Sequence, residues 1–409
     1  SRVNITRIYE DIYKPGRFKD LWFYWKGKPL LMGYPDNLPE PIRSFFTFRP
    51  GQPDYRRGPS RPDHWGWLEV CPQHGYVETA PGKFEQVTVG VAQNATDVLA
   101  PAAMNDPRGS YGRSYTRTHG FNTGPEAAGR GLNFQEQWDY AMKIDPELIF
   151  VTGWNEWIAG RYKEWQGTEN AFPDEFNNEY SRDIEPMKGG FGDNYYYQLV
   201  ANIRRYKGVQ APAPPSPPVA IDIDGRFESW AEVQPEFRHH KDSTMHRNHR
   251  GYGKTFYRND SGRNDFIAAK VTRDAKNLYF YVETAKAITE PTGDGWMTLL
   301  IDVDRDKGTG WEGYDFAVNR TAPAADKAPL ERSEHQWNWS KIGQVAFCIQ
   351  GNRMELRIPR TLVGLEAHGP LDFEFKWTDN VPASGDIMDF YLYGDVAPSG
   401  RFNYHYHAR

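Results

Sequence analysis

The first half of the chain alternates short apolar runs with longer amphipathic stretches. The runs are Pro29–Tyr34, Ser44–Phe48, Trp65–Val70, Gln86–Val91 and Leu148–Gly153. Each is short and largely apolar, which suits a parallel strand covered on both faces. Between the last two, Phe134–Ile144 has helical periodicity, with Trp138, Tyr140 and Met142 supplying bulk. Asn194–Lys207 reads as a closing helix. This βα alternation predicts an α/β domain.

The second half carries no long helical period. Apolar or alternating segments recur between turn signals at Asn264–Val271, Asn277–Thr284, Trp296–Val303, Gln344–Gln350, Arg353–Ile358, Leu371–Thr378 and Ile387–Tyr393. Short strands at such spacing predict an all-β sandwich. Between the halves lies Ala211-Pro-Ala-Pro-Pro-Ser-Pro-Pro218, which excludes helix and central strand and reads as an extended spacer. The expected organisation is therefore residues 1–210 as part of a (β/α)8 barrel, a linker at 211–218, and a β-sandwich at 219–409. A closed barrel of eight strands takes about 250 residues, and only five candidate strands precede the linker. The chain also opens at Ser1 without a signal peptide. The expectation is that the first βα units are missing, and that this N-terminal part of the same protein is the barrel's partner.

The net charge of −5 gives no reason to expect nucleic acid. No apolar run is long enough to span a membrane. The two cysteines, Cys71 and Cys348, fall in different expected domains, so no disulfide is expected between them. Aromatic residues make up 15% of the chain, including 14 Trp and 24 Tyr. Such side chains stack on the apolar faces of sugar rings, which suits a polysaccharide or oligosaccharide as substrate.

Gly153-Trp-Asn-Glu-Trp157 directly follows the buried run from Leu148. In a parallel barrel, strand C-termini carry the active site. Glu156 there has the carboxylate that glycoside hydrolysis requires, with Trp154, Asn155 and Trp157 as sugar contacts. Glycosidases normally pair two carboxylates, and Glu69, beside Trp67 near the end of the Trp65 run, is the second candidate. Asp36, His74, Asn94 and His119 occupy strand ends or loops where they could bind substrate. The acidic stretch containing Glu164, Glu169, Asp174, Glu175, Asp183 and Glu185 reads as solvated loop charge. Asp302, Asp304 and Asp306 have the alternation of a calcium loop, and a structural Ca2+ is the metal they suit. The following glycine falls one place late for an EF-hand and no bidentate Glu follows, so an acidic hairpin turn is the alternative. Catalysis itself calls for no cofactor.

The run Leu148-Ile-Phe-Val-Thr-Gly-Trp-Asn-Glu-Trp157 resembles the strand and motif of the WbsX-like proteins and of the related endo-α-mannosidase/mannanase glycoside hydrolases. That resemblance covers roughly residues 20–208. It implies a (β/α)8 barrel acting on glycans, with Glu156 catalytic. The family's second acid, three residues later, is replaced here by Ala159. The second half resembles carbohydrate-binding module family 9 and its DOMON-like relatives. The resemblance lies in Ile223-Asp-Gly225 with Trp230, in Leu300 to Phe316, and in Met354-Glu-Leu-Arg-Ile-Pro-Arg360. Such modules are appended to exported hydrolases, which implies a secreted, periplasmic or cell-surface location. Three functions follow as expectations: a glycoside hydrolase first, then a non-catalytic glycan-binding protein built on a degenerate barrel, then glycosyl transfer.

Overall fold

The computed structural model describes residues 2–408 apart from 123, 125, 157–159, 245, 252 and 292. The chain divides into two compact units, Ser1–Val209 and Gln210–Arg409.

Among its described residues unit 1 holds ten short strands: β1 Tyr24–Trp25, β2 Lys28–Leu31, β3 Thr47–Phe48, β4 Gly51–Gln52, β5 Trp65–Gly66, β6 Tyr76–Ala80, β7 Lys83–Gly90, β8 Leu148–Thr152, β9 Tyr162–Trp165 and β10 Thr168–Ala171. Its helices are α1 Arg2–Ile8, α2 Glu40–Phe45, α3 Leu132–Ile144 and α4 Asn194–Lys207. The strands do not form one sheet. They group as β1-β2-β3, β4-β5, β6-β7-β8 and β9-β10. Among the described residues, parallel pairing is confined to β2–β3, β4–β5 and β7–β8.

The expected (β/α)8 barrel is therefore corrected: the described residues form no continuous parallel sheet and no eightfold strand–helix repeat. Two local reasons stand out. The run Ser44–Phe48 begins inside α2, which Pro39 and Pro41 start by presetting φ for a first helical turn. The run Trp65–Val70 is strand only at Trp65–Gly66. Hydrophobicity marked both as buried, and buried strand and buried helix share that signal over so few residues.

Among the described residues two βαβ elements stand, β2–α2–β3 and β7–α3–β8, and the second positions the site. In β7 the inward residues Val87 and Val89 alternate and Val91 continues the row. Phe134, Trp138 and Ala141 of α3 recur at helical spacing to meet them. Burying each large side chain contributes about 1.5–3 kcal/mol. Asp145 ends α3 in the left-handed conformation, at φ 57°, just before Pro146. Tyr195 of α4 joins the same core.

Unit 2 holds β11 Glu236–Arg238, β12 Arg247–Arg250, β13 Phe256–Asn259, β14 Phe266–Arg273, β15 Asn277–Thr284, β16 Thr298–Asp302, β17 Phe316–Val318, β18 Lys327–His335, β19 Asn338–Gln350, β20 Arg353–Pro359, β21 Leu371–Asp379, β22 Asp395–Ala397 and β23 Tyr404–Ala408. All but the β12–β13 hairpin join one 11-stranded sheet. Its order is β11-β14-β15-β20-β19-β18-β17-β16-β21-β22, with β23 also on β21, and every pairing is antiparallel.

The sheet curls until its ends meet. The Phe237 ring of β11 lies 4.9 Å from Tyr404 of β23 and 5.2 Å from Phe375 of β21. The Phe266 amide of β14 donates to the Asp395 carboxylate of β22 at 2.7 Å. The expected two-sheet sandwich is thus corrected to a single, nearly closed sheet. Alternating strands give the same sequence pattern in either architecture, because each shows one face to a core. Ile387–Tyr391, expected as a strand, is a 3₁₀ turn. The Asp386 carboxylate caps it by accepting from the Met388 amide at 3.0 Å, and Ile387 and Phe390 are buried one turn apart.

In β15, Leu278, Phe280 and Val282 enter the central core, while Tyr279 and Tyr281 pack on Ile221, Phe227 and Trp230. The segment covering this outer face is reached through the proline-rich run. Ser216 of that run donates through its amide to Gln234 O at 3.0 Å and accepts from Arg273 at 2.7 Å.

Candidate functional site

At the end of β8 the chain turns through Gly153, at φ 92°. A Cβ there would overlap the Arg182 carbonyl oxygen, so glycine is required for this close approach. The turn leaves Trp154, Asn155 and Glu156 exposed. Residues 181–185 lie against it: the Trp154 carbonyl accepts from the amides of Ile184 at 3.2 Å and Glu185 at 2.9 Å. The Glu156 amide donates to the Asp183 carboxylate. The Glu156 side chain is 54% exposed, and its carboxylate meets Arg182 Nη2 at 3.0 Å. Trp157 and Ala159 lie outside the described residues.

Arg182 organises the surroundings. Its guanidinium is buried, and the same Nη2 that meets Glu156 also bonds Asp174. The two carboxylates therefore stand side by side on one nitrogen. Asp174 and Asp183, read from sequence as solvated loop acids, are both buried. Burial pushes the Asp183 carboxyl above the usual range for aspartate. Below them, buried Arg113 holds the loop by donating to Ser181 O at 3.1 Å, Ser181 Oγ at 3.0 Å and Asp183 O at 2.7 Å. Its guanidinium lies over the Tyr195 ring at 4.1 Å.

Tyr55 and Asn94 reach the same place from other segments. Burial raises the Tyr55 hydroxyl pKa, against the opposing charge of Arg182, with Asn94 as its hydrogen-bond neighbour and the Glu156 charge within reach. Asn94 Oδ1 and Arg182 Nε are buried with no hydrogen-bond partner among the described residues. Buried polar atoms of this kind call for an ordered water, an ion or a catalytic role to account for them. The structure thus joins Glu156 and Asn94, among the expected site residues, to Arg182, Asp174, Asp183 and Tyr55, which sequence reasoning missed. The acid spacing from 174 to 183 was visible, but nothing local distinguishes a carboxylate that folds inward onto an arginine.

Glu69 is placed differently. It is fully buried, and Oε1 accepts from Tyr76 OH at 2.7 Å and faces His74 Nδ1 at 2.9 Å, while Oε2 accepts from the His74 amide at 2.8 Å. Both oxygens are committed to the protein, so Glu69 holds a loop together. His74 is Glu69's partner, and that hydrogen bond raises the imidazole pKa. A raised histidine pKa stabilises the fold fully below the unfolded value of about 6.5, and the contribution fades as pH rises through the folded value. Thermal melts should therefore show a loss across that window in the wild type and not in His74→Gln. A two-dimensional NMR titration of the His74 ring checks the assignment, and an unshifted midpoint would refute it.

Trp67 is 45% exposed. Its carbonyl accepts from Thr88 Oγ1 at 2.9 Å and from Thr152 Oγ1, which sets it beside the end of β8, with its ring 5.8 Å from Phe150. Asp36 is exposed and paired with Arg61 at 2.9 Å, a surface ion pair. His119 is exposed in a separate groove of about 780 Å3 that Cys71, Arg117, Glu136 and Lys143 also line.

In unit 2, Asp302 and Asp304 do come together, but their third neighbour is Asp315, with ligand oxygens within 4.8 Å of one another. Asp306 instead accepts from the Gly308 amide at 2.8 Å within its own turn. Lys307 Nζ sits 2.6 Å from Asp302 and 2.7 Å from Glu374, so a cation bound at Asp302 would have to displace an ammonium group. No described helix is long and apolar enough to cross a membrane. Compared with known proteins, the chain matches no protein-family model and no curated sequence.

Proposed function

We propose that this protein is an exported glycoside hydrolase acting on a complex polysaccharide or glycan. The observation that carries this reading is the pair of carboxylates, Glu156 and Asp174, held side by side on Arg182 at the end of β8. Glycosidic cleavage uses such a pair, one acting as acid and the other as nucleophile or as base toward water. In this reading Glu156, open to solvent, gives a proton to the leaving oxygen and recovers it. Asp174, packed against the guanidinium, takes the other role in this reading. Exposed Trp154 and Trp67 offer ring faces to a sugar.

The second reading, a glycan-binding protein without turnover, is favoured by one observation: the acid first expected to pair with Glu156, Glu69, is sealed. Incubation with a panel of polysaccharides, followed by thin-layer analysis of products and affinity electrophoresis, separates the two. Released oligosaccharides are the expected result. Retardation without release would replace hydrolysis with binding, and neither effect on any glycan would end both readings.

A further inference from the structure

In β23 the residues alternate. Tyr404, Tyr406 and Ala408 pack on the core, while His405 and His407 stand on the exposed outer face. The neighbouring strand β21 alternates in step. Phe373 and Phe375 face inward, and Asp372 faces outward directly across from His407. Strand register therefore fixes two imidazoles and one carboxylate on a single patch. His405 Nε2 lies 2.5 Å from Asp372 Oδ1, and His407 Nδ1 lies 3.5 Å from the same oxygen. All three ligand atoms fall within 4.8 Å of one another.

From this geometry we infer a binding site for a Zn2+-class transition metal ion at Asp372, His405 and His407. Two neutral imidazole nitrogens and one carboxylate oxygen form a borderline-soft donor set that suits zinc rather than calcium or magnesium. In a tetrahedral zinc site with bonds of about 2.0–2.1 Å, ligand atoms stand about 3.3 Å apart. The exposed side chains reach that spacing by small rotations, with the backbone kept in register. Arg305 Nη1 lies 3.1 Å from Asp372 Oδ2 and 3.2 Å from Oδ1, so a metal ion taken up by Oδ1 leaves the guanidinium on Oδ2 alone. Water takes the fourth position, on the solvent side. The bound ion cross-links β23 to β21, so it stabilises unit 2.

The test is calorimetric titration of the full chain with Zn2+ at neutral pH, with melting curves of the zinc-free and zinc-loaded protein. One zinc per chain and a raised melting temperature are expected in the wild type. His405→Ala and His407→Ala should each weaken binding by at least about tenfold and abolish the thermal shift. Asp304→Asn, in the separate acidic turn, should leave both unchanged. Wild-type zinc affinity in the double histidine variant, or zinc binding lost in Asp304→Asn alone, would overturn the site. So would the absence of any zinc binding by the wild type.

Discussion

Glu156→Gln is expected to lower turnover of the cleaved glycan by about a hundredfold or more, the scale for losing an acid–base group, while the melting temperature stays near that of the wild type. The two halves of this expectation have separate causes. The side chain is more than half exposed, so solvent screens its pairing with the buried Arg182 and the pair contributes little to stability. Removing its charge does not strand Arg182, because Asp174 remains on the same nitrogen. Glutamine keeps the shape and a hydrogen-bonding oxygen but has no proton to exchange. Asp174→Asn should also lower turnover, with a loss of stability as well, since it weakens the closest partner of a buried guanidinium. Paired groups act as a unit, so the double variant should be little slower than the slower single one. Activity assays and melting curves of the three variants check this. Near-full activity in Glu156→Gln rejects the assignment. A Glu69→Gln variant that loses activity with an unchanged melting temperature would return Glu69 to the catalytic pair in place of Asp174.

Glu355→Ala should destabilise unit 2 by about 3–5 kcal/mol, summed over the neutral donors it leaves without an acceptor. Glu355 stands in β20 with no exposure. Its Oε1 accepts from the amides of Asp224 at 3.1 Å and Gly225 at 2.9 Å, and its Oε2 from the Trp230 indole at 2.8 Å. Alanine strands three donors at once and opens a cavity under Trp230. Each buried donor without a partner costs about 1–3 kcal/mol. Trp230 and Phe227 cover the outer face of β15, so the loss spreads to Tyr279 and Tyr281. Scanning calorimetry of the full chain should show the change as a drop of about 10 °C in one transition, with Glu355→Gln in between. An unchanged transition in Glu355→Ala would show that the network contributes nothing net.

The resemblance of the second half to carbohydrate-binding modules rests on three segments, around Ile223, Leu300 and Met354. Two of them turn out to be one device: the carboxylate of the Met354 segment ties down the turn at Asp224 and Gly225 and the indole of Trp230. The sequence contains both ends of that contact, 130 residues apart for Gly225, but not the fact that they meet.

What the sequence determined by itself was local. The period of α3 and α4, the strand at Asn277–Thr284, and the strand leading into Trp154, Asn155 and Glu156 are all written in nearest-neighbour patterning, because side-chain direction repeats every 3.6 or 2 residues. Tertiary structure alone decided which strands pair. Identical apolar patterns serve a parallel barrel, a two-sheet sandwich or a curled antiparallel sheet, and the choice rests on contacts between residues far apart in the chain. The same limit governed the chemistry. Glu69 and Glu156 look alike in sequence, yet one is closed by Tyr76 and His74 and the other left open by the turn at Gly153. Asp315 replaced Asp306 in the acidic cluster, and Asp174 emerged from a solvated-looking stretch, because Arg182 and the sheet register brought distant oxygens together. Burial and partner choice set what a carboxylate does, and both are properties of the folded chain.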